Sequence, residues 1–328
     1  MSEKKMTSIG GQAILEGVMM RGPHKMAMAV RKADGEIVIE EKEVKKHPII
    51  TKIPLVRGVF SFFSSLVIGI QAINFSAKFF DLTEEEKAEI ARKEAEKAAE
   101  NPQKASKKSK LSELNKKEEG EFPMWAMVIA VIGSLALSIG LFVLLPNFFA
   151  NHIVAEKAEN PLVYNISESI IKLCVFFGYI VGVSQMKDMK RLFQYHGAEH
   201  KTIFCYENGE ELTVENVKKY SRFHPRCGTS FLLFVMIVSI IVHMFLGVYE
   251  NGWINAGLRL LCLPFIAGVS YEIIKFAGKS QNKCVMLLNK PGQWLQKFTT
   301  NEPDESQIEV AIASLKAVIP ENSEDDKW

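Results

Sequence analysis

The sequence predicts a membrane α-helical bundle of about four transmembrane helices, with a small N-terminal β-unit and a cytoplasmic C-terminal helix. Three observations predict it. Four apolar runs, roughly 124–147, 165–186, 229–249 and 256–277, are long enough to cross a hydrocarbon core and carry little charge. Lys172 in the second and Glu272 in the fourth are the exceptions picked out. Lys and Arg then alternate between the connecting segments, with ten in 81–122, one in 151–163, eight in 187–228 and none in 249–255. Lys279, Lys283, Lys290 and Lys297 follow the fourth run. This pattern obeys the positive-inside rule at every crossing, so both termini and the 187–228 loop are expected in the cytoplasm of a multi-pass cell-membrane protein. Finally, the segment before the runs carries turn signals between short strand-like stretches.

That segment, 8–53, is read as a cytoplasmic β-unit. Gln12 to Met20 is one mostly apolar run between Gly10-Gly11 and Arg21-Gly22-Pro23. Lys25–Arg31 and Glu36–Val44 flank Ala33-Asp34-Gly35, an Asp-Gly hairpin signal. Glu16 and Arg21 are expected at the sheet edge or surface. Residues 54–80 are apolar for about a bilayer's thickness. Ser, Gln and Asn scattered through them fit a helix lying in the interface or packed on other membrane helices. Residues 81–122 turn to mixed charge, then to a Lys/Ser-rich run, and are read as a charged flexible linker.

Residues 123–279 form the bundle, with 187–228 as its large cytoplasmic loop. In the tail, 280–328, Asp304 and Gln307 make a capping box before an amphipathic helix with Ile308, Ala311, Ile312 and Leu315 on one face. That helix is expected to pack on the β-unit or on a protein partner.

Composition excludes some classes. Among 328 residues the net charge is +2, and no basic patch is interleaved with aromatics, so nucleic acid is not an expected partner; the lipid bilayer is. The five cysteines are odd in number and lack a Cys-x-x-Cys pair, so reduced thiols are expected rather than a disulfide framework. The first residues, Met-Ser-Glu-Lys-Lys, lead into polar, Gly-rich sequence rather than an apolar core, so a cleavable signal peptide is not expected.

The chemistry-bearing residues gather between 195 and 230. His196, Glu199 and His200 stand at i, i+3 and i+4, so on a helix they share one face. Two His at this spacing can chelate one ion, and a carboxylate between them can act as base toward an activated water. His-x-x-Glu-His is the inverted form of a zinc-protease motif. His224 and Cys227 add two competent ligands at the start of the third run, and Glu272 adds an intramembrane carboxylate. With both His224 and Cys227 the shell closes and is structural; with one of them, or Glu272, a position stays open for water. Thr229 or Ser230 is the expected N-cap of the following helix. His243 is expected to bond a backbone carbonyl, and His24, His47 and His152 have no partner spacing.

Taken together, Gly-Gly-Gln-Ala-Ile-Leu-Glu-Gly-Val-Met-Met-Arg-Gly-Pro (10–23), Tyr-His-Gly-Ala-Glu-His-Lys (195–201), His-Pro-Arg-Cys-Gly-Thr-Ser-Phe (224–231) and Ala-Gly-Val-Ser-Tyr-Glu (267–272) resemble the YqhQ-like family. These are bacterial membrane proteins described as predicted metal-dependent enzymes. The resemblance covers nearly the whole chain outside 81–122. It implies an integral membrane location and a metal at His196, His200 and their neighbours, and it supplies no substrate. The expectation is therefore a metal-dependent enzyme, a hydrolase at the cytoplasmic membrane surface, with Glu199 as base and zinc as the ion. The alternative is a non-enzymatic scaffold or assembly factor with a structural metal or none. A transporter has little support, because no internal repeat is visible.

Overall fold

In the computed structural model, which describes residues 6–44, 52–79, 124–153, 161–247, 249, 251–279 and 282–326, the N-terminal unit is an antiparallel meander. Its strands are β1 (Gly10–Ile14), β2 (Gly17–Arg21), β3 (Lys25–Arg31) and β4 (Ile37–Glu43), ordered β1-β2-β3-β4. The Asp34-Gly35 hairpin forms as expected, with Gly35 at φ 91°. The run from Gln12 to Met20 does not stay one element. It folds back at Leu15-Glu16, pairing Ile14 with Gly17. Glu16 takes φ 50° there, a conformation that costs a non-glycine residue and must be held from outside. The anchor is an ion pair with Arg191 and a bond from the Tyr195 hydroxyl at 3.2 Å.

Eleven α-helices follow among the described residues: α1 (Val56–Ala77), α2 (Met124–Ile139), α3 (Leu145–Ile153), α4 (Pro161–Ser184), α5 (Lys187–Glu207), α6 (Val214–Lys218), α7 (Gly228–Met244), α8 (Gly252–Leu261), α9 (Leu263–Lys279), α10 (Lys283–Thr299) and α11 (Glu305–Val318), with a π-helical turn, Gly140–Leu144, joining α2 to α3. The sheet lies between two helical layers, which explains why β3 is apolar and buried at every position from Met26 to Val30 rather than alternating. Val18, Met20, Ala27 and Ala29 face α5 and α11, while Met19, Met26, Met28 and Val30 face Ala72 and Phe75 of α1. The capping box at Asp304 and Gln307 forms, and Ile308, Ala311, Ile312 and Leu315 are buried beneath it. Ser314 Oγ donates to the Ala27 carbonyl across this contact at 3.0 Å.

Three helical stretches are long and apolar enough to cross a membrane: Val56–Ala77, Val128–Ile153 and Pro161–Ser184. A fourth arises if α8 and α9, bent by 41° at their junction, count as one span. The expected run at 229–249 is helical but shorter, as Gly228–Met244. Outward residues of α2 such as Ile129 and Leu137 are more than 60% exposed, an apolar surface that water does not favour. The bundle interior holds more charge than the sequence reading picked out. Glu168 and Arg259, both nearly inaccessible, form an ion pair. His243 meets the Lys172 amine at 3.1 Å rather than a backbone carbonyl, because α4 and α7 bring two polar side chains together in an apolar interior. The segment expected as a linker, 81–122, and His47 lie outside the described residues.

Candidate metal centre

Helix α5 restarts two residues after α4 ends, and it carries His196, Glu199 and His200 on one face as their spacing requires. Each imidazole is oriented by a backbone carbonyl on its far side. His196 Nδ1 donates to Thr299 O at 2.8 Å and His200 Nδ1 to Arg222 O at 2.5 Å. A ring tied through Nδ1 presents an unprotonated Nε2 when neutral, the tautomer a metal takes. His196 Nε2 lies 3.2 Å from Cys227 Sγ. Ligand atoms of His196, His200 and Cys227 all fall within 4.8 Å of one another.

Cys227 is also the N-cap of α7, in place of the expected Thr229 or Ser230. Its Sγ accepts from Thr229 N at 3.4 Å. Sulfur is a weak acceptor as a thiol and a good one as a thiolate, and two imidazoles beside it favour the thiolate. Burial opposes ionisation of Cys227, but His200 and His196 outweigh it and hold the thiol well below its ordinary range. The converse holds for His196: burial works against its charge, Cys227 works for it, and its pKa rises to about 9. Both shifts favour a thiolate beside an imidazolium, an arrangement in which a cation can take the place of the His196 proton.

Glu199 completes the face. Its Oε1 accepts from Gly11 N at 3.1 Å, while Oε2 is buried with no hydrogen-bond partner. Burial raises its pKa, and the two imidazoles offset only part of that. Two glycines permit this geometry. A Cβ on Gly11 would sit 3.2 Å from the Glu199 carboxyl carbon and 2.4 Å from Met19 O. A Cβ on Gly197 would sit 2.1 Å from Asn301 O, so only glycine lets α5 approach the segment that holds His196.

His224 flanks the group without joining it. Gln296 accepts from its N–H at 2.8 Å and donates to its carbonyl at 2.7 Å. Its Nδ1 accepts from Arg226 N at 3.3 Å, which puts the proton of the neutral ring on Nε2. That atom is buried without a hydrogen bond, 3.7 Å from Glu207 Oε2. Burial brings the His224 pKa down to about 4, so the ring is neutral. Glu272 lies elsewhere: Arg57 Nε donates to it at 2.7 Å and Leu55 N at 3.3 Å. The structure thus brings together His196, His200 and Cys227 with Glu199 adjacent, sets His224 beside them, and leaves Glu272 in an ion pair with α1.

A cavity of about 440 Å³ opens beside the group, walled also by Gly11, Met19 and Arg21 of the sheet and by Ser61, Ser65 and Ile68 of α1. Arg21, expected as an edge or surface residue, is a wall of this cavity. Gln296 and the two anchoring carbonyls were invisible in the sequence, since a backbone carbonyl carries no residue signature. Glu207 was one of several loop carboxylates, and only its burial against Arg226 and Thr7 N distinguishes it.

A sheet held between helices, a set of helices of membrane-crossing length, and a His, His, Cys group beside an unbonded carboxylate define the class of this protein. The chain belongs to the family described as "Protein of unknown function (DUF1385)", whose model matches residues 53–321. A Bacillus subtilis (strain 168) relative, "Uncharacterized protein YqhQ", is 35% identical over 324 residues, 97% of this chain and 95% of that protein. No solved structure matches the chain.

Proposed function

We propose that the protein is an integral membrane hydrolase with a divalent metal, zinc, at the cytoplasmic membrane surface. His196, His200 and Cys227 would hold the ion. The fit rests on three features of the site: a His₂Cys donor set, both imidazoles anchored through Nδ1, and a thiol already biased to thiolate. Such an ion supplies Lewis acidity, making water acidic near neutral pH and drawing electron density from a carbonyl or phosphoryl oxygen.

The chain's own residues do the rest. Gly11 N–H fixes one Glu199 oxygen and leaves Oε2 as proton acceptor, in a setting that lifts its pKa toward the range a general base needs. His224 lies on the cavity wall with its Nε2–H turned toward Glu207 Oε2 at 3.7 Å, so it would brace that carboxylate beside the centre rather than meet substrate. The cytoplasmic placement rests on the alternation of Lys and Arg between the apolar runs. The observation that carries the reading is the unbonded Glu199 Oε2 beside the three-ligand group. A closed structural site has no need of a buried, unsatisfied carboxylate or of an adjoining cavity.

The test is the metal content of purified full-length protein. About one zinc per chain is expected for the wild type and for Glu199→Gln, and none for His196→Ala or Cys227→Ser. Wild-type protein that neither retains nor takes up zinc overturns the proposal.

A further inference from the structure

The cavity beside the centre has two walls of different character. The sheet wall carries Arg21, half-buried, for which no carboxylate or hydrogen-bond partner occurs among the described residues. Burial pulls its pKa below the ordinary guanidinium value, and Tyr271 nearby offsets only part of that. A guanidinium remains charged even so, and a partly desolvated cation of this kind is stabilised by an anion. The cavity's other arginine, Arg226, is already paired with Glu207.

The opposite wall is α1, whose two faces differ. Ser61, Ser65 and Ile68, spaced i, i+4 and i+7, face the cavity, and Ala72 and Phe75 continue the inner side against the sheet. Phe63, Leu66, Val67 and Ile73 lie on the outer side and are each about half exposed. Two hydroxyls therefore line the inside of a helix whose outside is apolar and uncovered. A soluble anion would gain nothing from that outer face. An amphiphile would place its charge at Arg21 and run its chains along α1.

We infer that the cavity takes the oxyanion headgroup of a membrane amphiphile, with Arg21 as the residue that selects its charge and Ser61 and Ser65 as the polar lip it passes. This rests on the enzyme reading for what happens to the bound molecule, but not for binding itself. A guanidinium pairs with a phosphodiester through two parallel hydrogen bonds, and a headgroup that adds a cationic ammonium beside that phosphate is repelled by Arg21, so the preference is for net negative charge.

The probe is phosphatidylglycerol, offered against phosphatidylcholine in mixed vesicles to the purified full chain, with retained lipid read by native mass spectrometry. Wild type is expected to keep phosphatidylglycerol in preference to phosphatidylcholine. Arg21→Gln should retain roughly ten- to a hundred-fold less phosphatidylglycerol, the scale of one lost charged hydrogen-bond pair, and should no longer discriminate against phosphatidylcholine. Arg21→Lys should restore part of both. Ser65→Phe leaves the sheet intact, fills the lip of the cavity and should lower retention as well. Wild type stripped of metal by a chelator should still discriminate between the lipids, so a failed metal site and a failed lipid site give different results. No preference in the wild type, or an equal one in Arg21→Gln, overturns the proposal. Displacement of the lipid by inorganic phosphate or glycerol phosphate at similar concentration would identify a free anion as the ligand and overturn it too.

Discussion

Replacing Gly197 by alanine tests whether the carbonyl behind His196 shapes the centre. The added Cβ would lie 2.1 Å from Asn301 O, where ordinary contact begins near 3.4 Å, so the segment must retreat by about 1.3 Å. Helix α5 has little freedom to yield instead, because Tyr195 and Ala198 are fully buried against the sheet and α11. Two bonds of 2.8 Å cross the contact, Asn301 N to Phe193 O and His196 Nδ1 to Thr299 O. The shift stretches both to about 4 Å, beyond hydrogen-bonding range. His196 then loses the partner that fixes its tautomer and ring plane, and loss of such a partner lowers metal affinity roughly 10- to 100-fold. The assay is competition for zinc against a chromophoric chelator, with circular dichroism as a check on helix content. Gly11→Ala is the control, since it crowds Glu199 and Met19 but no ligand. A Gly197→Ala protein with wild-type helicity and zinc affinity within about threefold of wild type refutes the reasoning.

Two other outcomes follow from the bundle. Arg259→Ala strands the Glu168 carboxylate in a site about 3% exposed, which costs about 3–5 kcal/mol of stability, whereas Glu168→Gln with Arg259→Met recovers most of it; thermal unfolding in detergent micelles measures both, and a single variant as stable as the wild type contradicts the pairing. A reporter active only in the cytoplasm should work when fused after Asp326 and fail when fused after Asn160, as the Lys and Arg alternation requires.

Legibility divides by the kind of interaction involved. Periodicity and turn chemistry are local, so the Asp34-Gly35 hairpin and the capping box at Asp304 appear where the sequence put them. The His196, Glu199, His200 face also needs only a helix, and α5 provides one. The turn at Glu16 escaped because its support, Arg191 and Tyr195, lies some 175 residues away in sequence and overrides the local preference. The choice among third ligands could not be made from spacing, since Cys227, His224 and Glu272 are equally competent by residue type. It depends on where three helices cross. Cys227 turns its sulfur inward as an N-cap, His224 is held back by Gln296, and Glu272 is engaged by Arg57. The charges within the bundle were undercounted for a related reason. Glu168 and Arg259 lie on different helices, and their mutual neutralisation, invisible along the chain, is what lets each reside in an apolar run.

Helix α1 joins these threads, because its length permits a crossing while its packing argues against one. Its first turn meets α9, where Leu55 N and Arg57 bond Glu272. Its last turns lie on the sheet through Ala72 and Phe75, and the far edge of that sheet, β4, carries Glu40, Glu41, Lys42 and Glu43. A helix that crossed the bilayer would carry this charged strand to the opposite surface from its own first turn or draw it into hydrocarbon, and the second is costly. A helix lying along the surface meets neither difficulty. It would bury Phe63, Leu66 and Val67, exposed in the structure, among lipid chains, with its serines on the cavity and the sheet in water. In that arrangement α1 would be both the boundary of the membrane and a wall of the candidate centre, and the proposed centre would sit at the depth of lipid headgroups.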